Sequence, residues 1–115
     1  MVKLESLKKS DQFRKVLKEK KVHSECFSIF AAKNFYIPKL KDNLLISFVM
    51  KKKIGNAVKR NKIRRKLKAI VQKLSKKRGA INSDYTYIVF GKSNAYAEKQ
   101  NVLMPAMIKC FNKIK

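Results

Sequence analysis

Between residues 51 and 78 the chain carries fourteen basic residues and no acidic one, yet the same stretch is regularly patterned. Ile63, Leu67, Ile70, Val71 and Leu74 recur at the spacing of one helical face, so a helix packs there through a narrow apolar stripe. Gly55 and Asn56 supply the turn and N-cap that start it, and Gly79 supplies a stop. No carboxylate is placed to make i, i+4 pairs, so the helix repels itself until a polyanion arrives. The whole chain shares that need, with a formal net charge of +23 on 115 residues. Phosphate backbones meet it by releasing condensed counterions, which points to nucleic acid before membrane surfaces. Leu44 to Met50, the longest apolar run, is too short to cross a bilayer, and residues 1–7 hold no apolar signal core. Residence in the cytoplasm is the expectation.

At about 100° per residue, Asn61, Arg64, Arg65 and Lys68 fall in one polar sector, roughly opposite Lys59 and Lys66. Arg60 borders the apolar stripe. The arginine forks suit phosphate oxygens bidentately, and Asn61 between them can reach a backbone or a base edge.

A hydrophobic fraction of 45% with seven Phe and four Tyr belongs to a chain that folds, and at this length one domain over residues 1–115 is expected. Ser10 and Asp11 offer cap chemistry ahead of Phe13, Val16 and Leu17, which predicts a first helix over about Asp11 to Lys20. Cys26 to Ala32 predicts a strand, the stretch with Pro38 to Asn43 a loop, Leu44 to Met50 a buried strand, and Tyr85 to Phe90 another strand. Leu103, Met107, Cys110, Phe111 and Ile114 predict a closing helix with Pro105 in its first turn.

The chemistry of an autonomous nuclease is missing. Two-metal phosphodiester cleavage needs clustered carboxylates, whereas Glu5, Asp11, Glu19, Glu25, Asp42, Asp84 and Glu98 are scattered singly. His23 and Cys26 lack further ligands at metal-site spacing, and Cys26 and Cys110 lack that of a redox motif, so two reduced buried thiols are expected. Composition alone leaves a ribosomal or nucleoid nucleic-acid-binding protein without a catalytic role as the alternative.

The run Lys53-Ile54-Gly55-Asn56-Ala57-Val58-Lys59-Arg60-Asn61-Lys62-Ile63-Arg64-Arg65-Lys66-Leu67 closely resembles the signature of the bacterial ribonuclease P protein component. The likeness extends to Ser10 to Leu17, Phe27 to Phe30, Asp84-Tyr85 and the C-terminal helix. It implies an α/β (α+β) two-layer sandwich similar to the second domain of ribosomal protein S5, with a left-handed β-α-β crossover against the usual hand. It further implies a non-catalytic subunit that binds the ribonuclease P RNA and the 5′ leader of precursor tRNA. The RNA subunit would then perform the Mg²⁺-dependent cleavage, with no metal held by the protein alone and no obligate protein partner. By the same resemblance, Lys53, Arg60, Asn61, Arg64, Arg65 and Lys68 contact the catalytic RNA, while Phe13, Leu17, Phe27 and Phe30 form the leader-binding cleft. Leu17 stands where an aromatic is common, Phe30 where Tyr is common, and Lys68 where Arg is common, which keeps the charge but not the fork.

Overall fold

A computed structural model describes residues 3–5, 10–33, 43–76, 81 and 85–114. Its elements in chain order are β1 (Lys3–Glu5), α1 (Ser10–Lys18), β2 (Lys20–His23), β3 (Phe27–Lys33), β4 (Asn43–Met50), α2 (Ala57–Ser75), β5 (Tyr85–Gly91) and α3 (Gln100–Ile114). The five strands form one mixed sheet in the order β1-β4-β5-β3-β2. β4 and β5 run parallel and adjacent, with α2 as their crossover, while β3 pairs antiparallel with β5 and with β2.

Strand alternation builds two cores on the two faces of this sheet. Phe27, Ile29 and Ala31 of β3, Ile46 of β4, and Tyr87 and Val89 of β5 point to one face. There Ile63, Leu67, Ile70, Val71 and Leu74 of α2 and Leu103, Met107, Cys110, Phe111 and Ile114 of α3 close over them. The opposite face holds a smaller cluster of Val16, Ala32 and Ile88, with Phe13, Phe30, Val49 and Phe90 packed at its margin. A two-layer α/β sandwich results, with α1 laid across part of the second face.

α2 forms as its sequence demands. Asn56 Oδ1 accepts a hydrogen bond from the Lys59 N–H at 2.9 Å, which satisfies one of the orphan donors of the first turn. Gly55 before it adopts φ 154°, a conformation suited to glycine, and a side chain there would also press on Lys59. At the far end of β5, a side chain on Gly91 would strike Met50 Sδ and Ile63 Cγ2, so this glycine lets α2 settle onto the sheet.

Several sequence expectations are corrected. The first helix ends at Lys18, not Lys20, because Lys20 opens β2, a strand with one buried-side apolar residue, Val22, and hence almost no alternation to read. Pro105 lies beyond the first turn of α3: the Lys99 carbonyl already accepts from the Leu103 N–H at 3.1 Å, so the proline withholds an intrahelical donor. It sits on the exposed side, where water can serve the Asn101 carbonyl. α1 begins at Ser10, so Ser10 and Asp11 stand within its first turn and not ahead of it, and Asn43, expected in the loop, opens β4. Pro38, the stop at Gly79 and the strand-opening Asp84 lie outside the described residues.

Candidate RNA interface

Two surfaces meet at the start of α2. The first is a cleft of about 510 Å³ on the second face of the sheet, lined by Leu17, His23, Ser28, Phe30, Lys51, Lys53, Ile54, Phe90, Gly91, Lys92 and Ser93. Register explains its floor. His23 pairs with Ser28, Ser28 with Phe90, and Phe90 with Val49, so these residues form one rung across β2, β3, β5 and β4 on the same face. The neighbouring rung places Phe30 beside Ile88. Phe30 stands edge-on to Phe90 at 5.4 Å between centroids, and His23 stands edge-on to Phe30 at 6.1 Å. α1 covers only part of this face, and Leu17, 37% exposed, forms its edge.

The opposite wall is cationic. Lys51 holds its ammonium 5.8 Å from the Phe90 ring centre, and Lys53 and Ile54 stand in the short 3-10 turn between β4 and α2. Lys92 donates to the Ser24 carbonyl at 2.6 Å, tying the end of β5 to the β2–β3 connection. Aromatic floor and basic wall together suit single-stranded nucleic acid, whose bases stack while its phosphates seek charge.

The second surface is the outer side of α2, where hydrogen bonds divide the cations into two groups. Lys66 donates to the carbonyls of Tyr96 at 2.6 Å, Glu98 at 2.9 Å and Ala95 at 3.4 Å, and so staples the segment before α3 to the helix. Lys59 donates to Ser93 Oγ at 3.0 Å, and Lys73 to Gln100 Oε1 at 2.9 Å. Lys59 and Lys62 also lie over the Tyr96 ring, at 5.3 and 4.8 Å. The other side carries Asn61, Arg64, Arg65 and Lys68, all exposed. Asn61 Oδ1 accepts from Arg64 at 3.0 Å, which orients that guanidinium, while Arg65 and Lys68 have no partner among the described residues. Arg60 is half-buried, and its Nε has no hydrogen-bond partner among the described residues.

The fold thus brings Asn61, Arg64, Arg65 and Lys68 together, with Arg60 beside the apolar stripe. Lys53 falls elsewhere, on the cleft wall. Leu17 and Phe30 do line the cleft, but Phe13 packs at the margin of the small core beneath α1. Phe27 is misplaced by the sequence expectation: it is fully buried among the α2 and α3 side chains, on the closed face. Phe27 and Phe30 are three positions apart, an odd offset, so a strand must send them to opposite faces. His23, Ser28, Phe90, Lys51 and Lys92 went unrecognised as cleft residues. The signal for Phe90 was present, because Tyr85, Tyr87 and Val89 alternate with Thr86, Ile88 and Phe90.

Neither thiol belongs to the interface. Cys26 and Cys110 are free and buried, and burial pushes both thiols up from the ordinary value of 9.0, with Glu98 and Glu25 adding to the effect at Cys26.

An α/β sheet with a half-open aromatic face, bordered by a helix with one exposed basic sector, is the build of a nucleic-acid-binding domain. Its family follows from comparison with known proteins. Residues 1–115 match the Ribonuclease P family, and the chain belongs to it. The ribonuclease P protein component of Mycoplasma mycoides subsp. mycoides SC is 30% identical over 114 residues, which span 95% of this chain and 94% of that one. The ribonuclease P protein of Thermotoga maritima shares the fold with a TM-score of 0.76 at 22% identity, covering 96% of this chain and 98% of that one. The Staphylococcus aureus protein does so with a TM-score of 0.74 at 22% identity, covering 96% and 94%. A ribosomal or nucleoid role is accordingly set aside. This is a protein subunit of a tRNA-processing endoribonuclease, partnered with a ribonuclease P RNA.

Proposed function

We propose that the cleft holds the single-stranded 5′ leader of precursor tRNA while the exposed side of α2 docks on the catalytic RNA. The observation that carries this reading is the position of the Lys51–Gly55 segment, which is at once a wall of the cleft and the lead-in to α2. A leader lying on Phe30 and Phe90 would therefore pass beside the RNA surface bound by Asn61, Arg64, Arg65 and Lys68. Phosphate contacts from the arginines would fix register, and the aromatic floor would accept bases with little regard to sequence. The Mg²⁺ ions for cleavage would be held by the RNA subunit, in keeping with the scattered carboxylates of the chain. The holoenzyme would work in the cytoplasm; none of the described helices is long and apolar enough to cross a membrane.

Reconstitution tests the reading. A bacterial ribonuclease P RNA at low Mg²⁺ should cleave precursor tRNA at the mature 5′ end when this protein is added, and poorly without it. The protein by itself should leave precursor tRNA intact. Site-specific cleavage by protein freed of RNA would overturn the division of labour.

A further inference from the structure

Most of the cleft recognises nucleic acid without discrimination. Phe30, Phe90, Leu17 and Ile54 offer stacking and apolar contact, which every base accepts, and Lys51, Lys53 and Lys92 offer charge to any phosphate. Besides the lysines, three lining residues carry hydrogen-bonding side chains: His23, Ser28 and Ser93. Two of them are engaged. Ser93 Oγ accepts from Lys59 at 3.0 Å, and Ser28 Oγ lies 2.7 Å from His23 Nδ1. The Ser93 hydroxyl keeps a proton to donate but stands against Lys59, away from the aromatic floor; His23 Nε2 has no partner among the described residues, on an exposed ring held at one edge by Ser28 and standing edge-on to Phe30.

The buried partner decides which way the ring is protonated. Ser28 is only 5% exposed, and His23 is the one hydrogen-bond partner of its hydroxyl among the described residues. Were Nδ1 to donate to Ser28, the hydroxyl proton would be left buried without an acceptor, which is costly. The hydroxyl therefore donates to Nδ1, and the ring carries its proton on Nε2.

We infer that His23, positioned by Ser28, is the specificity-determining residue of the cleft, its Nε2–H donating to an acceptor on the edge of one leader base stacked near Phe30 and Phe90. This deepens the leader reading and rests on it. A fixed donor beside a stacking floor reads a base only where the base presents an acceptor at that spot, and a site built to make such a bond rejects bases that cannot. Ser28 is a positioning residue: without its hydroxyl the ring keeps its chemistry and loses its fixed tautomer and orientation.

The test uses the reconstituted holoenzyme and a panel of precursor tRNAs in which each leader position near the cleavage site carries each of the four bases in turn, with mature tRNA alongside. The wild-type complex should favour one base at one position by about tenfold, the worth of one hydrogen bond in such a setting. His23→Ala should abolish that preference, so that leaders carrying any of the four bases at that position bind alike. Ser28→Ala should weaken the preference at the same position. A favoured-base analogue stripped of its acceptor should lose the same factor with wild type and nothing with His23→Ala. A wild-type complex with no base preference, or a His23→Ala complex that keeps it, overturns the inference. Phe90→Ala separates this from failure of the leader reading itself: it should weaken every leader alike, and if it leaves the difference between precursor and mature tRNA untouched, the cleft does not hold the leader at all.

Discussion

The two faces of the sheet are made from alternate residues of the same strands, and they meet opposite fates. Under α2 and α3 the side chains of Phe27, Ile29, Tyr87 and Val89 are sealed in the larger core. On the other face α1 covers only part of the same strands, and Phe30 and Phe90 remain half-buried at the edge of a cleft. One phenylalanine is core and the next lines a cleft, with nothing in residue type to tell them apart. What differs is how far the covering helix reaches.

The sharpest way to break this comparison is to truncate one aromatic on each face. Phe27→Ala should cost about 3–5 kcal/mol of stability by opening a cavity in the sealed core. Denaturant unfolding measures it, and Phe30→Ala should lose visibly less. Equal losses would mean that the second face is core as well. Next in size, Phe30→Ala should weaken precursor tRNA binding by about 1–3 kcal/mol per base unstacked, with mature tRNA unaffected. Unchanged affinity for both RNAs would remove Phe30 from the interface.

A similar contrast divides the cations of α2. Replacing Arg64 and Arg65 together by Ala should reduce the slope of log affinity against log salt on the catalytic RNA by about 1.4–1.8, at about 0.7–0.9 for each phosphate contact. The unfolding midpoint should not move. Lys66→Ala should do the reverse, keeping the salt slope and lowering stability by about 1 kcal/mol, because its ammonium serves three carbonyls of its own chain. If Lys66→Ala changes the slope as the arginine pair does, the two sides of the helix are one electrostatic surface.

The smallest effect is expected from the thiols. Both are raised by burial, so the unfolded chain ionises them first as pH climbs. Their contribution is fully present below the ordinary value of 9.0 and is lost as pH rises above it towards the raised folded values. Between pH 7 and pH 10, wild type should therefore lose more stability than a variant with Cys26→Ala and Cys110→Ala, and its thiols should resist alkylation at neutral pH until unfolding exposes them. Parallel pH profiles would show that burial does not penalise their ionisation.

The helices were legible because their signals are local. The stripe from Ile63 to Leu74 and the cap at Asn56 need nothing outside their own stretch, and the basic sector of Asn61, Arg64, Arg65 and Lys68 follows from helical geometry once the stripe is known. β1 and β2 were not legible. They are three and four residues long, too short for an alternation to register, and they exist because β4 and β3 offer them an edge. Pro105 was expected in the first turn of α3 because an interior proline is costly, but the helix starts earlier, at Gln100, and packing of Leu103 and Met107 in the core outweighs the lost bond.

The cleft belongs mostly to the second kind of information. His23, Ser28, Phe90 and Val49 come from four different strands and become neighbours only through strand register, which periodicity along the chain does not encode. Likewise Lys59, Arg64 and Lys66 are equivalent as charges in the sequence. By itself the sequence determined that the chain is a folded polycation with a patterned basic helix, since charge and period are properties of consecutive residues. The tertiary structure alone decided which cations are spent on backbone carbonyls and which aromatics face a cleft, because both depend on what the rest of the chain brings within hydrogen-bonding distance or leaves uncovered.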